Sequence, residues 1–137
     1  MAEGSCLCGD VRYVVSGPMR PVIACHCIQC RKTSGHFVAA TSAPREDVEV
    51  FGEVSWYQSS DTARRGFCGR CGSSLFWDGP GRNLSIHAGT LDGPTGLTLM
   101  GHIYCATKGD YFEIADGLPQ AEGEDPVLTT MMPDQGV

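Results

Sequence analysis

Apolar and polar positions along this chain change over with a period of two, in short runs, and not with the 3.6-residue period of helices. In LSIHAGTL (84–91), Leu84, Ile86 and Ala88 alternate with Ser85 and His87, the pattern of a strand with one face buried. LTLMGHIYCA (97–106) likewise puts Leu97, Leu99, Ile103 and Cys105 on one face. VRYVVSG (11–17), HFVAATS (36–42), VEVFG (48–52), SWYQSS (55–60), SLFWDG (74–79) and YFEIAD (111–116) are β-branched or aromatic runs of strand length. Turn signals separate them at Asp78-Gly79-Pro80-Gly81, Asp92-Gly93-Pro94 and Lys108-Gly109-Asp110. A helical turn is expected only around Ile28–Lys32 or Pro126–Met132. The pattern predicts a mostly β domain of many short strands, with no repeat of solenoid length.

At 137 residues the chain reads as one domain. From about Gln120 it turns polar, with Glu122, Glu124 and Asp125, which predicts a domain over 1–120 and a loosely ordered tail over 121–137. Net charge is -6, and Lys and Arg are scattered apart from Arg31-Lys32 and Arg64-Arg65. No basic stripe is available for a phosphate backbone, so nucleic acid is not an expected partner. No apolar run approaches the roughly 20 residues of a membrane span. MAEGSCLCGD at the N-terminus has neither the basic nor the apolar region of a signal peptide. The cytoplasm is the expected location.

The cysteines change the picture. Seven of the eight fall in tight clusters: Cys6-x-Cys8, Cys25-x-Cys27-x-x-Cys30 and Cys68-x-x-Cys71. Disulfide frameworks space their cysteines to close loops, whereas CxC and CxxC turns present two thiolates to one metal. Metal is therefore expected, and a metal cross-link would stabilise a chain that buries little per strand. Seven thiols make one closed four-thiolate site with three left over. Structural zinc takes four protein ligands; catalytic zinc takes three and keeps a place open. Cys6 and Cys8 pair naturally with Cys68 and Cys71, where Gly9, Gly69 and Gly72 allow tight turns. Spacing equally permits a closed site combining Cys25, Cys27 and Cys30 with a histidine. Among the histidines, His26 in an extended CxC points away from its neighbours' metal, His36 starts a strand, and His87 lies on a polar face. His102, on the parity opposite Leu99 and Ile103, is the candidate general acid/base or donor to a ligand. Cys105 reads as a buried, unmetallated thiol.

GSCLCGDVRY (4–13), ACHCIQCRKTSG (24–35), RGFCGRCGSSLFW (65–77) and GHIYCATKGDYFEIADGLPQ (101–120) together resemble the glutathione-dependent formaldehyde-activating enzyme family, zinc proteins of the Mss4-like fold. The resemblance implies small antiparallel sheets packed around zinc knuckles, with two zinc ions per chain. It places the structural zinc on Cys6, Cys8, Cys68 and Cys71 and the catalytic zinc on Cys25, Cys27 and Cys30. The chain departs from the family pattern at Cys105, Gly109, Tyr111 and Ala121, positions that bear on the pocket wall and hence on the substrate.

The resemblance implies a carbon–sulfur lyase or synthase that joins glutathione to formaldehyde. A zinc with three thiolates is a weak Lewis acid that still takes a fourth soft ligand, so a thiol suits it. Glutathione carries two carboxylates, for which Arg31, Lys32 and Arg65 are candidate partners. Thr33 and Ser34 could add hydroxyl and amide donors, and His102 or Tyr104 could protonate the new alkoxide. The alternative is a non-catalytic, zinc-stabilised binding or chaperone-like module. Exposed strand edges make a homodimer an expectation for either.

Overall fold

A computed structural model describes residues 1–130. The chain runs β1 (Ala2–Ser5), β2 (Arg12–Val15), β3 (Val22–Cys25), α1 (Ile28–Ser34), β4 (Val38–Pro44), β5 (Val48–Phe51), β6 (Val54–Gln58), β7 (Arg64–Cys68), β8 (Ser74–Asp78), β9 (Asn83–His87), β10 (Leu99–Ile103) and α2 (Pro126–Thr129). The strands form a three-stranded sheet, β1-β2-β5, and a seven-stranded one, β10-β3-β4-β9-β8-β7-β6. The mostly β architecture expected from the alternation is what forms. Among the described residues no helix is long and apolar enough to cross a membrane.

One pairing departs from the expected antiparallel sheets. β10 lies parallel to β3, with Ile103 opposite Cys25 and His102 opposite Ala24. The cause is the connection after β9. Leu91 bridges Gly4, and the Asp92 amide donates to the Glu3 carbonyl, so the chain is carried along the small sheet before it returns beside β3.

The main core lies between the sheets. Val11, just before β2, and Tyr13 and Val15 of the small sheet meet Leu75, Phe76, Leu84 and Ile86 of the large one. Tyr13 packs edge-on to Phe76 at 5.3 Å between ring centroids. Its ring also lies on Gly4, where a Cβ would fall 2.1 Å from a ring carbon, so β1 approaches only because it has no side chain there. Cys6 and Cys68 belong to this same cluster.

Strands β1, β3 and β7 carry no legible strand pattern. AEGS has little β propensity, VIAC is buried without alternation, and RRGFC interrupts its pattern with glycine. Conversely, the run 111–116 is not a strand. Its aromatics are spent sideways: Tyr111 OH hydrogen-bonds His36 Nδ1 at 2.6 Å, and the Lys108 ammonium donates to the Phe112 carbonyl at 2.7 Å.

The segment after Gln120 is better held than its composition predicts. Gln120 bridges His102, the Ala121 amide donates to the His102 carbonyl, and the Tyr104 amide donates to the Gly123 carbonyl. The buried Arg20 guanidinium reaches the Thr129 carbonyl at 3.1 Å. Leu128 completes a second apolar cluster with Ile23 and Ile103. Backbone pairing does not need apolar side chains, which is why the polar composition misleads. The expected helical turn over Pro126–Met132 is α2 as far as Thr129; its end, and the rest of the expected tail from residue 131, lie outside the described residues. Leu128→Ala is expected to lower the unfolding free energy by about 2–3 kcal/mol in urea titration, in the lower range for buried leucines because the cluster is small. A loss below about 0.5 kcal/mol would show that backbone pairing alone holds this segment.

Candidate metal centres

Cys6 and Cys8 sit in the turn between β1 and β2, Cys68 ends β7, and Cys71 lies in the turn before β8. Their four sulfurs lie within 4.8 Å of one another, with Cys6–Cys8 at 3.6 Å and Cys8–Cys68 at 3.7 Å. Zinc–sulfur bonds of about 2.3 Å in a tetrahedron imply sulfur–sulfur edges of about 3.8 Å, so the donor set fits such an ion. Gly9 and Gly72, both in the left-handed region at φ 83° and 81°, close the two turns. Amides point inward: Val11 N donates to Cys6 Sγ at 3.3 Å and Cys71 N to Cys68 Sγ at 3.5 Å. Hydrogen bonding from Ser73 lowers Cys71 to about 5.

The second cluster is built differently. Cys25 ends β3, Cys27 caps α1, and Cys30 lies in that helix's first turn, with all three sulfurs within 4.8 Å. The Cys30 amide donates to Cys27 Sγ at 3.3 Å, so the cap atom is also a candidate ligand. Gly35, in the left-handed region at φ 86°, ends the helix. Among the described residues, no histidine, carboxylate or further cysteine joins this group as a fourth donor. The buried Arg65 guanidinium lies against Cys30 Sγ, with Nη2 at 3.7 Å and Nη1 at 3.8 Å, and Nε and Nη2 also donate to Gln29 Oε1. Three thiols this close share their ionisation: hydrogen bonds from Cys25 and Cys30 hold Cys27 low, while the bond to Cys27 pushes Cys25 up. Only a cation lets all three carry charge together.

His26 points away from the sulfurs, as an extended CxC requires. Its Nε2 meets His102 Nδ1 at 2.9 Å, and His102 Nε2 meets Asp116 Oδ2 at 2.7 Å. Both imidazoles are buried, and Phe37 and Phe112 pack against His26. Burial, reinforced by His102, His36 and Lys108, lowers His26 to about 4 and keeps it neutral. This His26–His102–Asp116 chain lies behind the three-thiol cluster; parity indicated a special His102 but not its two partners. Tyr104 directly follows β10, and it is the one non-glycine described residue with positive φ, 57°. Burial, then Glu124 and the three cysteines, raise its phenol above the ordinary value.

Of the other expected site residues, Arg31 and Lys32 fall in the last turn of α1, Lys32 exposed and Arg31 half-buried. Thr33 and Ser34 return their hydroxyls to helix carbonyls, Thr33 to Gln29 at 2.9 Å and Ser34 to Cys30 at 2.7 Å. Cys105 is half-buried outside both clusters. Gln29 and Asp116 carried no signal in the sequence, because polar residues that brace a site have no characteristic spacing.

The profile of the family described as glutathione-dependent formaldehyde-activating enzyme matches residues 1–107. This chain belongs to that family. A Halomonas elongata protein, named as a candidate glutathione-dependent formaldehyde-activating enzyme, is 37% identical over 86 residues, 56% of this chain and 55% of that protein. The chain thus matches little more than half the length of that relative. An uncharacterized lyase of Schizosaccharomyces pombe is 29% identical over 117 residues, covering 83% of this chain and 85% of the lyase. A crystal structure of a Rhodobacter sphaeroides protein shares the fold, with TM-score 0.57 and 24% identity over 71% of this chain and 97% of that one.

If Arg65 steadies Cys30 as the distances indicate, Arg65→Met in this family member should release metal from the three-thiol cluster to a competing chelator roughly ten- to a hundredfold more readily. Unchanged retention would show that the guanidinium does not support that sulfur.

Proposed function

We propose that this protein is a zinc-dependent carbon–sulfur lyase or synthase, joining glutathione or a related thiol to formaldehyde or another small aldehyde. The observation that carries this reading is the three-sulfur group at Cys25, Cys27 and Cys30, at ligating separation and without a fourth protein donor among the described residues. A scaffold has no use for such a group. The four-sulfur group is read as the structural zinc site.

Zinc held by Cys25, Cys27 and Cys30 would supply a soft coordination place that favours the thiolate form of a thiol near neutral pH, where a free thiol has pKa of about 8.5. The chain's own residues do the rest. Arg65 offsets the negative charge gathered on the sulfurs and aligns Cys30. Arg31 and Lys32, on the exposed end of α1, take the carboxylates of glutathione. Thr33 and Ser34 keep oxygen lone pairs for its peptide N–H groups. Tyr104, held protonated by its raised pKa, gives its proton to the alkoxide formed when sulfur adds to the carbonyl carbon. His102 acts at one remove: with Asp116 it fixes the His26 ring, and hence the backbone between Cys25 and Cys27. Bringing thiol and aldehyde together replaces a chance encounter with an oriented one. Eight cysteines free of disulfides and a glutathione substrate support the reading of a reducing, cytoplasmic location.

Elemental analysis is expected to find two zinc ions per chain, and a cobalt-substituted form should gain sulfur-to-metal absorption on titration with glutathione. One metal per chain, indifferent to glutathione, would favour a non-catalytic binding module. Cys30→Ser is expected to lose one zinc and the activity while its thermal unfolding stays cooperative. Cys71→Ser should leave the chain unfolded or insoluble. Identical behaviour of the two variants would refute the division into a working and a structural centre.

A further inference from the structure

Beside the three-thiol cluster the large sheet carries a cavity of ≈ 290 Å³ that the chemistry above leaves unassigned. Register fixes its position. Tyr57 lies opposite Arg65, Arg65 opposite Trp77, and Trp77 opposite Ser85, two residues before His87. Directly opposed residues share a face, as do residues two apart. Tyr57, Arg65 and His87 therefore stand on the face to which Gln29 and Cys30 of α1 are joined through Arg65. Thr33 of the helix, Phe67 and Ser74 complete the wall, and Gly72 leaves open space where a side chain would stand. Small-molecule sites run from about 300 to 1,000 Å³, so this one suits a compact ligand.

Two features distinguish the cavity from a surface dimple. His87 Nε2 is buried, and the structure gives it no hydrogen-bond partner. An unpaired buried polar atom is unfavourable, and a ligand atom bonded to it would relieve that. Burial, then the Arg65 charge, lower His87 to about 4, so its ring is neutral at pH 7. The second feature is Arg65 itself, which lines the cavity on one side and touches Cys30 Sγ on the other. A ligand in the cavity lies one side chain from the sulfurs.

We infer that this cavity is the subsite of the carbonyl partner, and that the partner is larger than formaldehyde: an aldehyde bearing a compact apolar or aromatic group. Its substituent packs against Tyr57 and Phe67, and its polar end lies toward His87 and Arg65. The inference rests on the thiol–aldehyde reaction proposed above. In that reaction the thiol S–H adds across C=O: a carbon–sulfur bond forms, the C=O π pair becomes an alkoxide that takes the Tyr104 proton, and the proton given up by the thiol restores the Tyr104 phenol. Nothing is oxidised or reduced. Formaldehyde has no substituent to fill the cavity.

The test separates binding from turnover. With the zinc-loaded protein, 2-phenylethanol, an unreactive probe, is titrated while the imidazole signals are followed by NMR; His87→Gln identifies the signal of His87. Saturable movement of that signal is expected, and it should be lost in Ser74→Leu, which fills the cavity. Glutathione turnover is then compared for phenylacetaldehyde and formaldehyde. The ratio of kcat/KM for phenylacetaldehyde over formaldehyde should fall roughly tenfold or more in Ser74→Leu. Should Ser74→Leu fail to fold, the same ratio in His87→Gln decides. A His87 signal unmoved by the probe, while formaldehyde is still joined to glutathione, would overturn the subsite and leave the reaction standing. Movement of the signal without turnover of either aldehyde would count for the cavity as a ligand site and against the reaction.

Discussion

Four sulfurs drawn within bonding range of one ion form the constraint on which this molecule depends. They come from two turns 60 residues apart in the chain, and two of them, Cys6 and Cys68, are also members of the core between the sheets. Thirteen or so kcal/mol of metal binding is typical of structural zinc in small domains, where reported values run from about 10 to 16 kcal/mol. That is as large as the whole stability of an ordinary domain. An ion held there would lock the two hairpins together, so that short strands suffice while the apolar contacts between them remain modest.

How much of this was readable from sequence depended on the kind of interaction. Leu84, Ile86 and the other alternating residues declare their strands, since one buried face imposes a period of two. The cysteine clusters declare themselves as well: local spacing limits which donors can reach one ion. The count of four and three came from ligand arithmetic and the assignment of clusters to the two sites from the family resemblance; the sulfurs group in the same way. Other features were hidden for physical reasons. β1 depends on Gly4 making room for Tyr13, a long-range contact with no local trace. The parallel placement of β10 is set by where Leu91 docks, far from β10 itself. His87 looked like a surface residue because its neighbours in the chain are polar, yet its ring nitrogen is buried and it lines the cavity beside Thr33 and Arg65.

The two centres differ in how their charge is balanced. At the four-sulfur group the compensation comes from backbone amides in tight turns, which are fixed and uncharged. At the three-sulfur group a full positive charge, Arg65, is added and is itself held by Gln29. Buried guanidinium beside thiolate is costly unless both are well paired. Its presence marks the second group as a place where charge has to be managed, beyond being merely neutralised by a resident ion.

No element supplies a sulfur to both centres: one draws on the β1–β2 and β7–β8 turns, the other on β3 and α1. The scaffold and the chemistry can therefore drift apart over evolutionary time. On the function proposed above, a descendant that lost any of Cys25, Cys27 or Cys30 would keep its architecture and surrender only its chemistry, leaving a stable body free to acquire a different task.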